Sequence, residues 1–296
     1  MKKILVIVVA SLMFSSCLRM DDFLYNESKI DQYLLDNYTG EVDFKLGAEY
    51  AIPDSLFRMF TLNSQSVEET SPTKIYAMYL GDVSKISTDT VILYCHGNKD
   101  HMDFYWQRAK LIANIGGNCH YGVMTFDYRG FGMSEGKPTE DGLYADSDAA
   151  LKWLKDNGLT SDRLIIYGFS LGSAPATKLS ANQYTLKPSK LILEAPFASS
   201  AVMVQDGSAM SMPASLYTNL KIDNAEQIKS VTQPFLWIHG VEDGFLSMKT
   251  HGEVIYKNYK GFYSEAHRIE GADHGTVPQT VGFQNYLEIM DKFIKK

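Results

Sequence analysis

The apolar run Leu164-Ile165-Ile166-Tyr167 leads directly into Gly168-Phe169-Ser170-Leu171-Gly172, and a stretch able to form a helix follows. No other feature constrains the fold as much. It asks for a buried strand, a sharp turn with a serine at its tip, and a helix packed back on the strand. A hydroxyl is a weak nucleophile and needs an exposed oxygen, a base beside it and donors for the oxyanion that forms. Lacking Cβ atoms, Gly168 and Gly172 allow strand and helix to approach closely and leave Ser170 in a strained position. Taken alone, G-x-S-x-G is a weak signal, because a loop serine is ordinarily a turn former.

A nucleophile of this kind requires an acid and then a histidine later in the chain, each on a loop after a strand. Pro234-Phe235-Leu236-Trp237-Ile238 has the apolar character of a buried parallel strand and runs into His239-Gly240-Val241-Glu242-Asp243-Gly244. Ala266-His267-Arg268-Ile269 reads as the last strand, followed by Gly271-Ala272-Asp273-His274-Gly275. Strand ends of a parallel sheet open on one side, so Ser170, Asp243 and His274 are expected to converge there. Glu242 is the alternative acid. Upstream, Thr90 to Cys95 reads as a strand ending in His96-Gly97-Asn98, which makes the backbone N–H groups of Asn98 and Leu171 the candidate oxyanion donors. His96 and His239 are expected to order the oxyanion and acid loops. No His-x-x-x-His or Cys-x-x-Cys spacing supports a metal site, and the reading calls for no cofactor.

Over roughly residues 55 to 294 the chain resembles the α/β-hydrolase superfamily, most of all the branch of serine aminopeptidase-like and monoacylglycerol-lipase-like enzymes and membrane-anchored α/β-hydrolase-domain esterases. The likeness rests on His96-Gly97-Asn98, on Phe126 to Gly132 with Ser134-Glu135-Gly136, on the serine turn, on Glu194-Ala195-Pro196-Phe197, and on His239-Gly240, Asp243, Gly271 and His274. It implies a structural loop at Asp127 to Gly132, a noncatalytic Ser134, and Asp243 rather than Glu242 as the acid. Lys99-Asp100-His101-Met102 departs from the small residues usual after the oxyanion segment and is expected to bring charge to the pocket mouth.

The expected architecture is one α/β domain over residues 51–296, a mostly parallel eight-stranded sheet with helices on both faces. Strands are predicted near Leu56–Leu62, Ile75–Leu80, Val91–Cys95, Gly122–Phe126, Leu164–Tyr167, Leu191–Glu194, Phe235–Ile238 and His267–Ile269. Helices are predicted over Phe104–Ile115, Glu140–Asp156, Leu171–Asn182, Ser247–Tyr259 and Gln279–Ile294. Residues 196–221 read as a small lid, whose Val202, Met203, Met210, Met212, Pro213, Leu216 and Tyr217 suit either an acyl pocket or simple packing on the body.

Ahead of this domain, Met1-Lys2-Lys3 and the apolar Ile4 to Phe14 have the layout of an export signal too short to span a membrane, and Ser15-Ser16-Cys17 resembles a bacterial lipoprotein processing site. Residues 1–16 are thus expected to be removed, with Cys17 lipidated and the protein held at the periplasmic or outer-membrane surface. Residues 17–50 read as a tether with a short helix near Ile30–Tyr38. Cys95 and Cys119 are expected at opposite ends of the sheet, beyond disulfide reach. A formal net charge of −7 excludes the basic stripe that nucleic-acid binding needs.

Together these features predict a serine hydrolase acting on carboxylic esters, with a small molecule as partner. An aminopeptidase is the alternative; it would need carboxylates near the site to hold a free ammonium, for which Glu194, Glu242 and Asp206 are the available residues. A lipoprotein using the fold only for binding is the alternative of another class.

Overall fold

The computed structural model describes residues 24–208 and 218–296. The export segment, Cys17, and Met210, Met212, Pro213, Leu216 and Tyr217 of the lid lie outside the described residues.

Eight strands build the central sheet: β1 Phe57–Ser64, β2 Thr73–Leu80, β3 Val91–Cys95, β4 Gly122–Phe126, β5 Leu164–Phe169, β6 Lys190–Glu194, β7 Phe235–Gly240 and β8 Ser264–Ile269. They lie in the order β8-β7-β6-β5-β3-β4-β2-β1. Only the pairings of β2 are antiparallel, to β1 and to β4. The inner strands β3, β4 and β5 are mostly apolar because both their faces are covered, and they are buried along their full length.

The helices are α1 Met102–Ala113, α2 Glu140–Asp156, α3 Ser173–Ala181, α4 Ser200–Ser208, α5 Asn224–Gln227, α6 Gly252–Asn258, α7 Val277–Val281 and α8 Phe283–Ile294. They divide the core into two layers, one on each sheet face. α2 has the predicted bounds because its ends are marked: the Thr139 side chain accepts from the Gly142 N–H, and the chain leaves the helix at Asn157. The stretch predicted as one helix over Gln279–Ile294 is two, broken where Gly282 takes φ +86°. The helix predicted from Ser247 begins only at Gly252, and Ser170 to Gly172 form a separate 3-10 turn before α3.

The largest departure is at the N-terminal end. The helix expected near Ile30–Tyr38 reduces to a single 3-10 turn at Leu35–Asn37. The N–H groups of Leu34 and Leu35 instead donate to the Asp103 carboxylate at 2.8 and 2.7 Å, and Leu35 adopts φ +52°. Residues 24–50 are therefore a strap laid along the domain. Asn26–Glu27 pairs in parallel with Lys99–Asp100, Tyr33 donates to Asp127 at 2.6 Å, and Phe44 and Tyr50 are buried. Cys95 and Cys119 are both free thiols.

Candidate active site

Ser170 sits at the C-terminal end of β5 with φ +51°, in the left-handed region that costs a non-glycine residue about 1–3 kcal/mol. Close packing around it explains the glycines. A Cβ at Gly172 would lie 1.9 Å from the Cys95 carbonyl oxygen, and one at Gly168 would lie 2.5 Å from the Gly172 oxygen. The turn can form only with both positions bare.

His274, on the loop after β8, places Nε2 2.9 Å from Ser170 Oγ and Nδ1 2.8 Å from Asp243 Oδ2. Asp243 is buried on the loop after β7, and its Oδ1 accepts from the N–H groups of Phe245 and Leu246 at 2.9 and 2.7 Å. Burial alone would raise the pKa of this carboxyl; the hydrogen bonds from His239, His274 and Leu246 outweigh it and hold the group well below the usual carboxylate range. An ionised Asp243 accepts a hydrogen bond from His274 Nδ1–H, which keeps the proton on that nitrogen. The lone pair on Nε2 then faces the serine hydroxyl, which is the tautomer a general base requires.

Support for Asp243 comes from His239. Trp237 Nε1–H, a donor only, points at His239 Nδ1 at 3.3 Å, so the imidazole proton is on Nε2. That proton is shared between Asp243 Oδ2 at 3.1 Å and the Leu246 carbonyl at 3.0 Å. Glu242 takes no part: it is near the surface and accepts from the Gly271 N–H. Asp273, which the sequence reading passed over, joins the two loops by accepting from the N–H groups of Gly244 and His274 at 3.0 and 2.8 Å.

The oxyanion segment follows β3. His96 Nδ1–H donates to the Gly97 carbonyl at 2.8 Å, Tyr128 donates to the His96 carbonyl at 3.0 Å, and the buried Asp127 lies 3.1 Å from His96 Nε2. Asn98 reaches the cavity, and its side-chain oxygen accepts from the Asn26 N–H at 2.6 Å. Leu171, the other candidate donor, is buried at the elbow next to Ser170. Ser134 is a structural link, accepting from the Tyr76 N–H and donating to the Asp127 carbonyl.

A cavity of about 260 Å³ opens over Ser170 and His274. Phe104, Tyr105, Phe169 and Phe245 give it aromatic walls, and Asn26, Glu41, Asp43 and Lys99 line the rest. Charge does reach the mouth, as Lys99 pairs with Glu41 at 2.6 Å, whereas His101 is buried and caps α1 through its contact with the Asp103 N–H. Among the described residues, none of the lid lines this cavity: Met203 packs on the core, and Asp206 accepts from Thr250. From the strap, Asn26, Glu41 and Asp43 line it. A larger groove of about 700 Å³, by Tyr144 and Lys178, has no comparable nucleophile and base among its lining residues.

The model of the family described as serine aminopeptidase, S33, matches residues 86–233. Among curated relatives, alpha/beta hydrolase domain-containing protein 17B of Homo sapiens is 30% identical over 208 residues, 69% of this chain and 66% of that protein. Its Xenopus laevis counterpart is 30% identical over 211 residues, 70% of this chain and 67% of that protein. The chain belongs to the α/β-hydrolase superfamily. Solved structures agree on the fold of this hydrolase. A Pyrococcus furiosus esterase superposes with a TM-score of 0.65 at 18% identity, covering 91% of this chain and 98% of that one. An Exiguobacterium antarcticum esterase gives 0.58 at 19% identity, covering 80% and 100%.

The hydrolase site also contains residues with little sequence signal. Arg108 is buried beneath the cavity, donating to Glu194 at 2.7 Å, Asp43 at 3.1 Å and the Gly275 carbonyl at 2.9 Å. Its only sequence trace is an arginine inside a mostly apolar helix. Glu194, considered above as an ammonium-binding carboxylate, is fully buried and also accepts from Tyr167 and Tyr286, so it does not face the cavity.

Proposed function

We propose that the protein is a serine hydrolase that cleaves carboxylic esters of short to medium acyl chain through an acyl-enzyme on Ser170. The observation that carries this reading is the continuous relay Asp243–His274–Ser170 opening on an aromatic-walled cavity. Ser170 Oγ attacks the ester carbonyl while His274 Nε2 takes its proton, and Asp243 stabilises the imidazolium without becoming protonated. The Asn98 and Leu171 N–H groups receive the oxyanion. Collapse of the tetrahedral intermediate expels the alcohol with the proton from His274. Water, deprotonated by the same imidazole, then releases the acid.

The cavity volume of about 260 Å³ lies below the usual range for drug-sized ligands and favours a short acyl group. Peptide hydrolysis is the second reading, supported by the two carboxylates on the cavity wall, Glu41 and Asp43. Both are already paired, with Lys99 and Arg108 respectively, which weakens their hold on a substrate ammonium.

A fluorophosphonate probe followed by peptide mass mapping tests the proposal. The expected result is one adduct, on Ser170, absent from Ser170→Ala. Folded wild-type protein that takes up no probe would overturn the reading. Faster turnover of aminoacyl arylamides than of acyl esters would move it to the peptidase.

A further inference from the structure

We propose that the strap of residues 24–50 is a positioning element of the active site, holding both loops that flank Ser170, with Asp43 and Arg108 as its working pair. This rests on the assignment of His274 as the base. Two contacts carry it. At one end, the strap runs as a strand beside Lys99–Asp100, and the Asn26 N–H donates to the side-chain oxygen of Asn98, the residue whose own N–H is the proposed oxyanion donor. At the other, Asp43 Oδ2 accepts from Arg108 Nη2, and the same nitrogen donates to the carbonyl of Gly275, the residue after His274.

The geometry of the second contact is tight. A Cβ at Gly275 would lie 2.5 Å from Asp43 Oδ1, so strap and histidine loop touch across this glycine. Arg108 is fixed in turn by Glu194 and by stacking of its guanidinium 4.0 Å over the Phe169 ring, which itself lies against the His274 imidazole. Desolvation of Arg108 works against its charge, but the carboxylates of Glu194 and Asp43 outweigh it, so the guanidinium keeps its donors. Asp43 thus orients the side chain that holds the Gly275 carbonyl beside the base. Neither Asp43 nor Arg108 exchanges a proton with substrate; each acts by keeping His274 Nε2 within reach of Ser170 Oγ.

The test uses the full chain and two readouts. Asp43→Ala is expected to lower kcat on a p-nitrophenyl ester about tenfold with KM within about twofold, since small displacements of a base are costly. In the same variant, amide hydrogen exchange in a peptide spanning residues 271–277 should speed up about fivefold or more, as local opening becomes easier. Asp43→Asn keeps an oxygen acceptor and should restore most of both. Gly275→Ala should cost less in the Asp43→Ala background than in wild type, because the side chain it collides with has gone. Unchanged exchange in Asp43→Ala, with kcat intact and only the melting temperature lowered, would overturn the proposal and leave Asp43 a simple anchor. Wild-type protein inactive on esters would remove the ester assignment, while the exchange comparison would still decide whether the strap holds the histidine loop.

Discussion

Two arginine clusters of similar composition occupy different parts of this hydrolase. Arg129 joins a fully buried carboxylate, Asp146, to a partly exposed one, Glu69, at 2.9 and 2.6 Å. Arg108 does the same with Glu194 and Asp43 at 2.7 and 3.1 Å. What differs is what each guanidinium does with its remaining contacts. Arg129 reaches Ser64 Oγ at the end of β1 and ties that strand to α2 and to the loop after β4. Arg108 reaches the Gly275 carbonyl and the Phe169 ring, both beside the triad. The same ionic arrangement is a framework joint in one place and a support for the base in the other. The role follows from the segment being held, not from the charges that hold it.

Deleting either arginine should have the largest effect and tests the half of the comparison in which the clusters are alike. Arg108→Ala and Arg129→Ala each leave a buried carboxylate without its cation but with hydrogen bonds, from Tyr167 and Tyr286 to Glu194 and from the backbone N–H of residue 129 to Asp146, so the loss is up to about 3–5 kcal/mol. Urea unfolding should show both variants destabilised to a similar degree. A loss under about 1 kcal/mol for one of them would break the parallel.

The partly exposed carboxylates test the half in which the clusters differ. Asp43→Ala is expected to slow turnover, as set out above, whereas Glu69→Gln should leave kcat within about twofold, because nothing it contacts touches the site. Glu69 has its own, smaller signature in stability. The hydrogen bond and charge of Arg129, against an opposing burial effect, lower the Glu69 pKa from 4.5 to about 2. A carboxyl depressed in the folded state stabilises the fold above its unfolded pKa, and that contribution is lost as the pH falls through the folded value. Melting temperatures of wild type and Glu69→Gln should therefore differ most above pH 5 and converge toward pH 2. A constant gap across that range would show that charge is not what Glu69 contributes.

How far these features can be read from the sequence follows the same division. Val91–Cys95, Gly122–Phe126 and Glu140–Asp156 have the predicted bounds because local chemistry decides them: apolar runs buried on both faces, and a helix capped by Thr139. The convergence of Ser170, Asp243 and His274 was legible because each follows a parallel strand whose end opens on the same side of the sheet, although they are far apart in the chain and the strand before His274, Ser264–Ile269, is largely polar. The strap was not. Ile30, Tyr33, Leu34 and Tyr38 fall near helical spacing, but the backbone donors of Leu34 and Leu35 go to Asp103, which is distant in sequence and has no local signature. Asp43 was silent for the same reason: its meaning depends on Arg108 and Gly275, which no pattern of spacing connects to it. The lid suited either a pocket wall or packing on the body because it follows β6 near the site; among the described residues the wall comes from the strap and from Phe104, Tyr105, Phe169 and Phe245.

Hydrolysis of a p-nitrophenyl ester series from acetate to decanoate by purified full-length protein, with Ser170→Ala beside it, is the most direct test of the central claim. The account predicts turnover that peaks at the short end of the series, which a cavity of about 260 Å³ favours, and that falls at least about 10⁴-fold in the variant. Folded wild-type protein that cleaves none of the series, or a Ser170→Ala variant that keeps the wild-type rate, would contradict it.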